Sequence, residues 1–217
     1  MEDRVILIDK PAGISSFGVV AKVRGYLRNE CGHKVKVGHT GTLDPFATGL
    51  LILLSGKMTK KSNEFLKFDK EYVAELKLGF KSSTGDPEGE IEIVDNRVPD
   101  IKEIESVLRL FIGDIEQIPP KYSAIKINGQ RAYKLARKGV DFEVPVRRVK
   151  IYNIDVLEYE YPRLVIRCRV SSGTYIRTLA EDIGEKLSTG AYLTALRRTK
   201  IGEYSVEKAR ILDDYLI

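Results

Sequence analysis

The stretch Gly38-His39-Thr40-Gly41-Thr42-Leu43-Asp44-Pro45-Phe46-Ala47-Thr48-Gly49 runs directly into Leu50-Leu51-Ile52-Leu53-Leu54. An unbroken aliphatic run of this length reads as a strand covered on both faces, because a strand with one wet face would alternate. The segment before it is dense in Gly, Thr and Pro, the residues of turns. The chain must therefore set one carboxylate, Asp44, at the mouth of a buried strand. An isolated Asp-Pro is ordinarily a turn whose carboxylate bonds nearby backbone N–H groups. Here residues 30–49 read as one long, basic, Gly-rich loop. A loop that long inside a compact domain is more often functional than filler.

The rest of the chain supplies a scaffold. Val5-Ile6-Leu7-Ile8 is a short buried strand, and Ser15 or Ser16 can cap a helix whose apolar face is Val20, Val23 and Leu27. Gly56 to Lys61 is basic and begins a helix toward Phe65-Leu66. Tyr72 to Leu78 alternates as a half-buried strand, Gly85-Asp86-Pro87-Glu88-Gly89 is a turn-rich loop, and Ile91 to Val94 is another short strand. Asp100 can cap a helix through Ile104, Val107, Leu108 and Phe111, with Gly113 as its stop. Pro119-Pro120 makes Gln117 to Ser123 an extended loop. Ser123 to Ile127 reads as a strand turning at Asn128-Gly129 before a helix from Arg131 to Lys138. Val149–Glu160 and Leu164–Val170 are strands, and Thr174 to Leu187 is a helix with Ile176, Leu179, Ala180, Ile183 and Leu187 inward. Strands and helices do not alternate one for one. An α+β fold with a mixed, largely antiparallel sheet flanked by helices is expected, in one domain over 1–217.

Composition narrows the class. Hydrophobic residues at 43% support a core and argue against disorder. Lys and Arg outnumber Asp and Glu by 36 to 31, which hints at a polyanionic partner. Cys31 and Cys168 lie far apart, so a reduced, cytoplasmic setting without disulfides is expected. A closed zinc site wants four ligands; with two Cys and two His at no metal spacing, no metal is expected. No charged-then-apolar leader and no ~20-residue apolar run are seen, so a soluble protein is expected.

Asp44 has no second acid at a fixed spacing, which argues against a paired acid/base hydrolase and fits a lone nucleophile or base held ionised by a cation. Arg177, in Gly173-Thr174-Tyr175-Ile176-Arg177, can be that cation, since a guanidinium within about 4–6 Å keeps a carboxylate charged. A cation near a helix N-terminus is otherwise awkward unless an acid is close. Tyr72 and Tyr175 suit either a core or a stacking platform. His39, exposed by its Gly-rich context, could stack on or replace a displaced base. Lys34-Lys36, Lys57-Lys60-Lys61, Arg131-Lys134-Arg137-Lys138, Arg147-Arg148-Lys150 and Arg197-Arg198-Lys200 form a phosphate track if they share a face, and ordinary solvated surface if they scatter.

Taken with Asp9-Lys10-Pro11-Ala12-Gly13, Lys70-Glu71-Tyr72, Thr84-Gly85-Asp86 and Pro119-Pro120-Lys121-Tyr122-Ser123-Ala124, these segments resemble, in order, the TruB family of tRNA pseudouridine synthases. The resemblance implies the pseudouridine-synthase fold and a cofactor-free isomerisation of uridine-55 in the T loop of tRNA. Asp44 would be the catalytic carboxylate, paired with Arg177. Tyr72 would stack on the flipped base, and His39 would fill the space the nucleotides leave. Tyr175 and Lys126 would shape the pocket, and Asp86 would order a loop or touch substrate. Bacterial relatives commonly carry a C-terminal PUA-type domain. None is expected within 1–217, which favours a stand-alone bacterial type, a monomer with no obligate protein partner and weaker tRNA affinity. Two rival readings use the same residues: a non-catalytic tRNA-binding or folding module, and a base-excising glycosylase.

Overall fold

The computed structural model describes residues 3–95, 97–123, 125–127 and 129–215. In chain order the elements are β1 (Val5–Lys10), α1 (Ser16–Cys31), β2 (Val37–His39), β3 (Thr48–Ser55), α2 (Ser62–Leu66), β4 (Lys70–Leu78), β5 (Phe80–Ser82), β6 (Ile91–Ile93), α3 (Ile101–Arg109), β7 (Gly113–Gln117), β8 (Lys126–Ile127), β9 (Gln130–Arg131), α4 (Ala132–Arg137), β10 (Arg147–Glu160), β11 (Arg163–Val170), α5 (Ile176–Lys186), β12 (Ala191–Ile201), β13 (Tyr204–Ser205) and β14 (Arg210–Ile211). They fall into two compact units, Met1–Val73 with Leu196–Ile217, and Ala74–Ala195.

In the first unit the aliphatic run is the central strand. β3 pairs antiparallel with β1, from Val5↔Leu54 to Lys10↔Gly49, and parallel with β12 at Gly49↔Arg198. Leu51 and Leu53 join Ile6, Ile8 and the Val19, Val20, Val23 and Leu27 face of α1, whereas Leu50, Ile52 and Leu54 join Phe65 and Ile201. Two cores, one on each face, explain why the run does not alternate. Each such side chain stabilises the fold by about 1.5–3 kcal/mol. Helix α1 starts where the Ser15 hydroxyl accepts the Gly18 N–H, and it stops at Gly32, whose φ of 75° lets its N–H reach the Arg28 carbonyl.

The second unit carries β11, β10 and β7 as successive antiparallel neighbours, with the small hairpins β5–β6 and β8–β9. The Asp100 carboxylate accepts the Glu103 N–H and caps α3, and α5 buries Ile176, Leu179, Ala180 and Ile183. The fold is α+β with a mixed, largely antiparallel sheet, as the sequence indicates.

Several boundaries differ from expectation. Residues 30–49 are not all loop: Val37–His39 pairs with β3 through His39↔Leu53, a partner no local pattern reveals. Helix α3 ends at Arg109, and Gly113 opens β7 instead of stopping the helix. The expected strand Ser123–Ile127 is Lys126–Ile127; Ala124 and the turn residue Asn128 lie outside the described residues, as do Met1 and Glu2. The basic segment Arg197-Arg198-Thr199-Lys200 belongs to strand β12, which its charges conceal.

Gly49 sits at φ +101°, where a Cβ would collide with the Arg198 backbone. Gly49→Ala is expected to cost about 2–4 kcal/mol, from φ strain plus the separation of β3 from β12. Urea unfolding of the two proteins measures it.

Candidate active site

Asp44 opens a turn. The Ala47 N–H donates to the Asp44 carbonyl at 3.1 Å, with Pro45 in the second position, where its fixed φ suits the bend. The turn is anchored from beneath through its carbonyls. Lys10, 0% exposed, donates from Nζ to Pro11 O (2.8 Å), Ile14 O (2.8 Å) and Pro45 O (3.2 Å). Arg198, 1% exposed, donates to Leu50 O (2.8 Å), Gly41 O (3.1 Å) and Thr42 O (3.4 Å). The Ser16 hydroxyl donates to Leu43 O and accepts Leu43 N–H, both at 2.8 Å. These bonds hold residues 41–45 on both sides of a half-buried carboxylate.

The charge balance below the turn is legible at Lys10. Burial pushes its ammonium down to about 8; attraction to the Asp44 carboxylate opposes that shift and repulsion from Arg198 adds to it. His39 lies half-buried on β2, and its Nδ1 accepts the Gly41 N–H at 3.4 Å, a long contact. Tyr72 lies on the inward face of β4 and is 8% exposed, yet among the described residues its hydroxyl has no hydrogen-bond partner.

The second unit holds a buried ion pair. Arg177, on the first turn of α5, donates from Nη1 to Asp86 Oδ2 at 3.1 Å and Thr84 O at 3.2 Å, and from Nη2 to Tyr122 O at 2.7 Å. Both side chains are 5% exposed. Asp86 thus places an acid at the positive end of α5. Its other oxygen accepts the Thr84 hydroxyl (2.6 Å) and the Glu88 N–H (3.1 Å), closing the turn around Gly85. Gln117 grips the Tyr175 backbone twice, accepting its N–H at 3.1 Å and donating to its carbonyl at 3.3 Å. Burial raises the Glu181 carboxyl, helped by Asp182 and Asp86 and opposed by Arg177 and Lys81. The structure therefore brings Asp86 and Arg177 together. Tyr175 is half-buried at the start of α5, and Lys126 is exposed on the separate hairpin β8–β9.

Comparison with known proteins shows the family. Residues 28–176 match the family model described as TruB family pseudouridylate synthase (N terminal domain), and residues 177–215 match the tRNA pseudouridylate synthase B C-terminal domain. The chain belongs to the TruB family. The tRNA pseudouridine synthase B of Francisella philomiragia is 47% identical over 212 residues, which cover 97% of this chain and 68% of that protein. The enzyme of the same name from Phocaeicola vulgatus is 45% identical over 216 residues, 99% of this chain and 92% of that one. Among solved structures, the crystal structure of a Cbf5-Nop10-Gar1 complex contains a chain with 33% identity and a TM-score of 0.71; the match covers 97% of this chain and 52% of that chain, about half its length. TruB enzymes are isomerases that form pseudouridine in tRNA, and this chain is a pseudouridine synthase of that kind.

Lys10 and Arg198, which anchor the Asp44 turn, stand in the sequence only within a motif and a basic group. Strand alternation carries the signal for Lys10, since Ile6, Ile8 and Lys10 share the buried face of β1. Among the described residues no cluster of His, Cys, Asp or Glu could hold a metal ion, and no helix is long and apolar enough to cross a membrane.

The unfolded chain keeps Lys10 protonated up to about 10.5, the folded chain up to about 8. Between those values the unfolded state binds more protons, so Lys10 makes stability rise with pH. Wild type should gain about 2–3 kcal/mol on Lys10→Met between pH 7 and pH 10. Urea unfolding of both proteins across that range tests this, because other titrating groups cancel in the difference.

Proposed function

We propose that the chain converts uridine-55 in the T loop of tRNA to pseudouridine, with Asp44 as its catalytic carboxylate. The observation that supports this reading most is the anchoring of the Asp44 turn. Three side chains outside it, Lys10, Ser16 and Arg198, fix its backbone, which gives the carboxylate a defined position.

The reaction breaks the N1–C1′ bond, turns the base and joins C5 to C1′; the proton lost from C5 balances the one gained at N1. No electrons or atoms are exchanged with a second molecule, so the chemistry requires no cofactor. An ionised Asp44 serves either as nucleophile or as base. In this reading Lys10 supplies positive charge beside Asp44, and Arg177, oriented by Asp86, Thr84 and Tyr122, orders the segments it joins. The target base leaves its stack at a cost of a few kcal/mol, and stacking on Tyr72 returns about 1–3 kcal/mol. The unpartnered Tyr72 hydroxyl suits a polar contact with that base. His39 takes the place of displaced nucleotides, and Tyr175 and Lys126 border the pocket. Acting on tRNA, the protein works in the cytoplasm, as a monomer and without an obligate protein partner.

The purified chain with a tRNA transcript is the test. Asp44→Asn should lower pseudouridine at position 55 by about a thousandfold or more while binding tRNA normally. Equal product from both proteins would leave a tRNA-binding module, and free uracil with an abasic site would indicate a glycosylase.

Arg177→Lys keeps the charge but cannot reach Asp86, Thr84 and Tyr122 together. Turnover should fall about 10- to 100-fold through misplacement of the site. Tyr72→Leu should be worse than Tyr72→Phe, which keeps the stacking face. Single-turnover rates on the same transcript check both orders.

A further inference from the structure

A cavity of about 680 Å³ lies in the first unit, between α1 and the segment leading into β2. Its charged lining is Arg24 and Arg28 from the helix and Lys34 and Lys36 from the segment, with no carboxylate among the lining residues. Among the described residues none of these four side chains has a hydrogen bond or an ion pair. The one acid of α1, Glu30, is drawn away to Arg4 at 2.9 Å. Nothing in the fold requires this concentration of charge. Like charges four apart on a helix are mildly destabilising, as Arg24 and Arg28 must be.

Gly25 stands between those arginines in the interior of α1, and a Cβ built on it meets nothing within 4 Å. Alanine would fit there and favour the helix by about 1 kcal/mol. The glycine thus keeps open a space that folding does not need open. The remaining lining is Ala21, Val35 and Val37, all small and none aromatic. The volume is that of a ligand pocket, the charge calls for a polyanion, and the lack of a stacking ring disfavours recognition of a base.

We propose that this cavity is a binding site for the phosphodiester backbone of RNA, and that it holds the tRNA away from the reacting uridine. Arginine forks and lysine ammoniums grip consecutive phosphates, and the small floor lets the backbone sink between them. The site reads no sequence; it adds affinity and orientation. Lys34 and Lys36 precede β2 directly, so the strand that leads to the Asp44 loop starts at this contact. The proposal rests on tRNA as the substrate and not on the role of Asp44, so its binding assay is run in the Asp44→Asn protein.

The experiment compares Arg24→Ala/Arg28→Ala, Gly25→Leu and a control, Lys102→Ala/Lys186→Ala, which removes two exposed lysines of α3 and α5. Affinity for full-length tRNA is measured against salt in the Asp44→Asn background, and kcat and KM in the active one. The double arginine variant should weaken tRNA binding about tenfold or more and shrink the salt slope by about two, one unit for each lost phosphate contact. KM should rise in step, with kcat within about twofold of wild type. Gly25→Leu should weaken binding with the charge unchanged, and the lysine control should change it far less. The proposal is overturned if the arginine variant binds like wild type, if the control matches it, or if Gly25→Leu has no effect. It is also overturned if wild type binds inorganic pyrophosphate through these arginines while tRNA affinity is indifferent to them, which would make the cavity a small-anion site.

Discussion

The hydrogen-bonding needs of one short turn organise the first unit. Residues 41–45 bring backbone carbonyls into the protein interior outside any strand ladder that would donate to them. A buried carbonyl without a donor costs about 1–3 kcal/mol. Donors come from two side chains with unusually many of them: the Lys10 ammonium reaches Pro45 O together with Pro11 O and Ile14 O, and the Arg198 guanidinium reaches Gly41 O and Thr42 O together with Leu50 O. Burying those cations is itself costly, and the depressed titration of Lys10 records the cost. What the arrangement achieves is position: a carboxylate on a turn that cannot drift.

The second unit solves a similar problem with a guanidinium and an acid together. Arg177 cross-links the Thr84–Glu88 turn, the chain at Tyr122 and the first turn of α5. Asp86 neutralises it and at the same time caps its own turn. A lysine could supply the charge but not three directions at once. In both units irregular segments that carry candidate site residues are ordered by buried polar side chains, while strands and helices are ordered by apolar burial.

How much of this was legible depended on the range of the interaction. The two-faced burial of β3, the capping of α1 by Ser15 and of α3 by Asp100, and the alternation of β4 all follow from residues close in sequence, and all were readable. Asp44, Tyr72, Asp86 and Arg177 stand out by residue type and motif. The pairing of Val37–His39 with β3 was not readable, because a three-residue strand has no period. Strand β12 was hidden because two of its inward or edge positions are arginines. The link between Arg177 and Asp86 spans 91 residues, and no local pattern announces it.

By itself, the sequence determined which segments are apolar on which face, where helices begin, and which carboxylate stands in a turn, since these depend on side-chain type and short-range geometry. Only the tertiary structure decided which cation sits beneath Asp44, which acid faces Arg177, and that Arg24, Arg28, Lys34 and Lys36 line one cavity. Charge in a sequence has no direction; the partner is chosen when distant segments pack and desolvation makes an unpaired ion too costly.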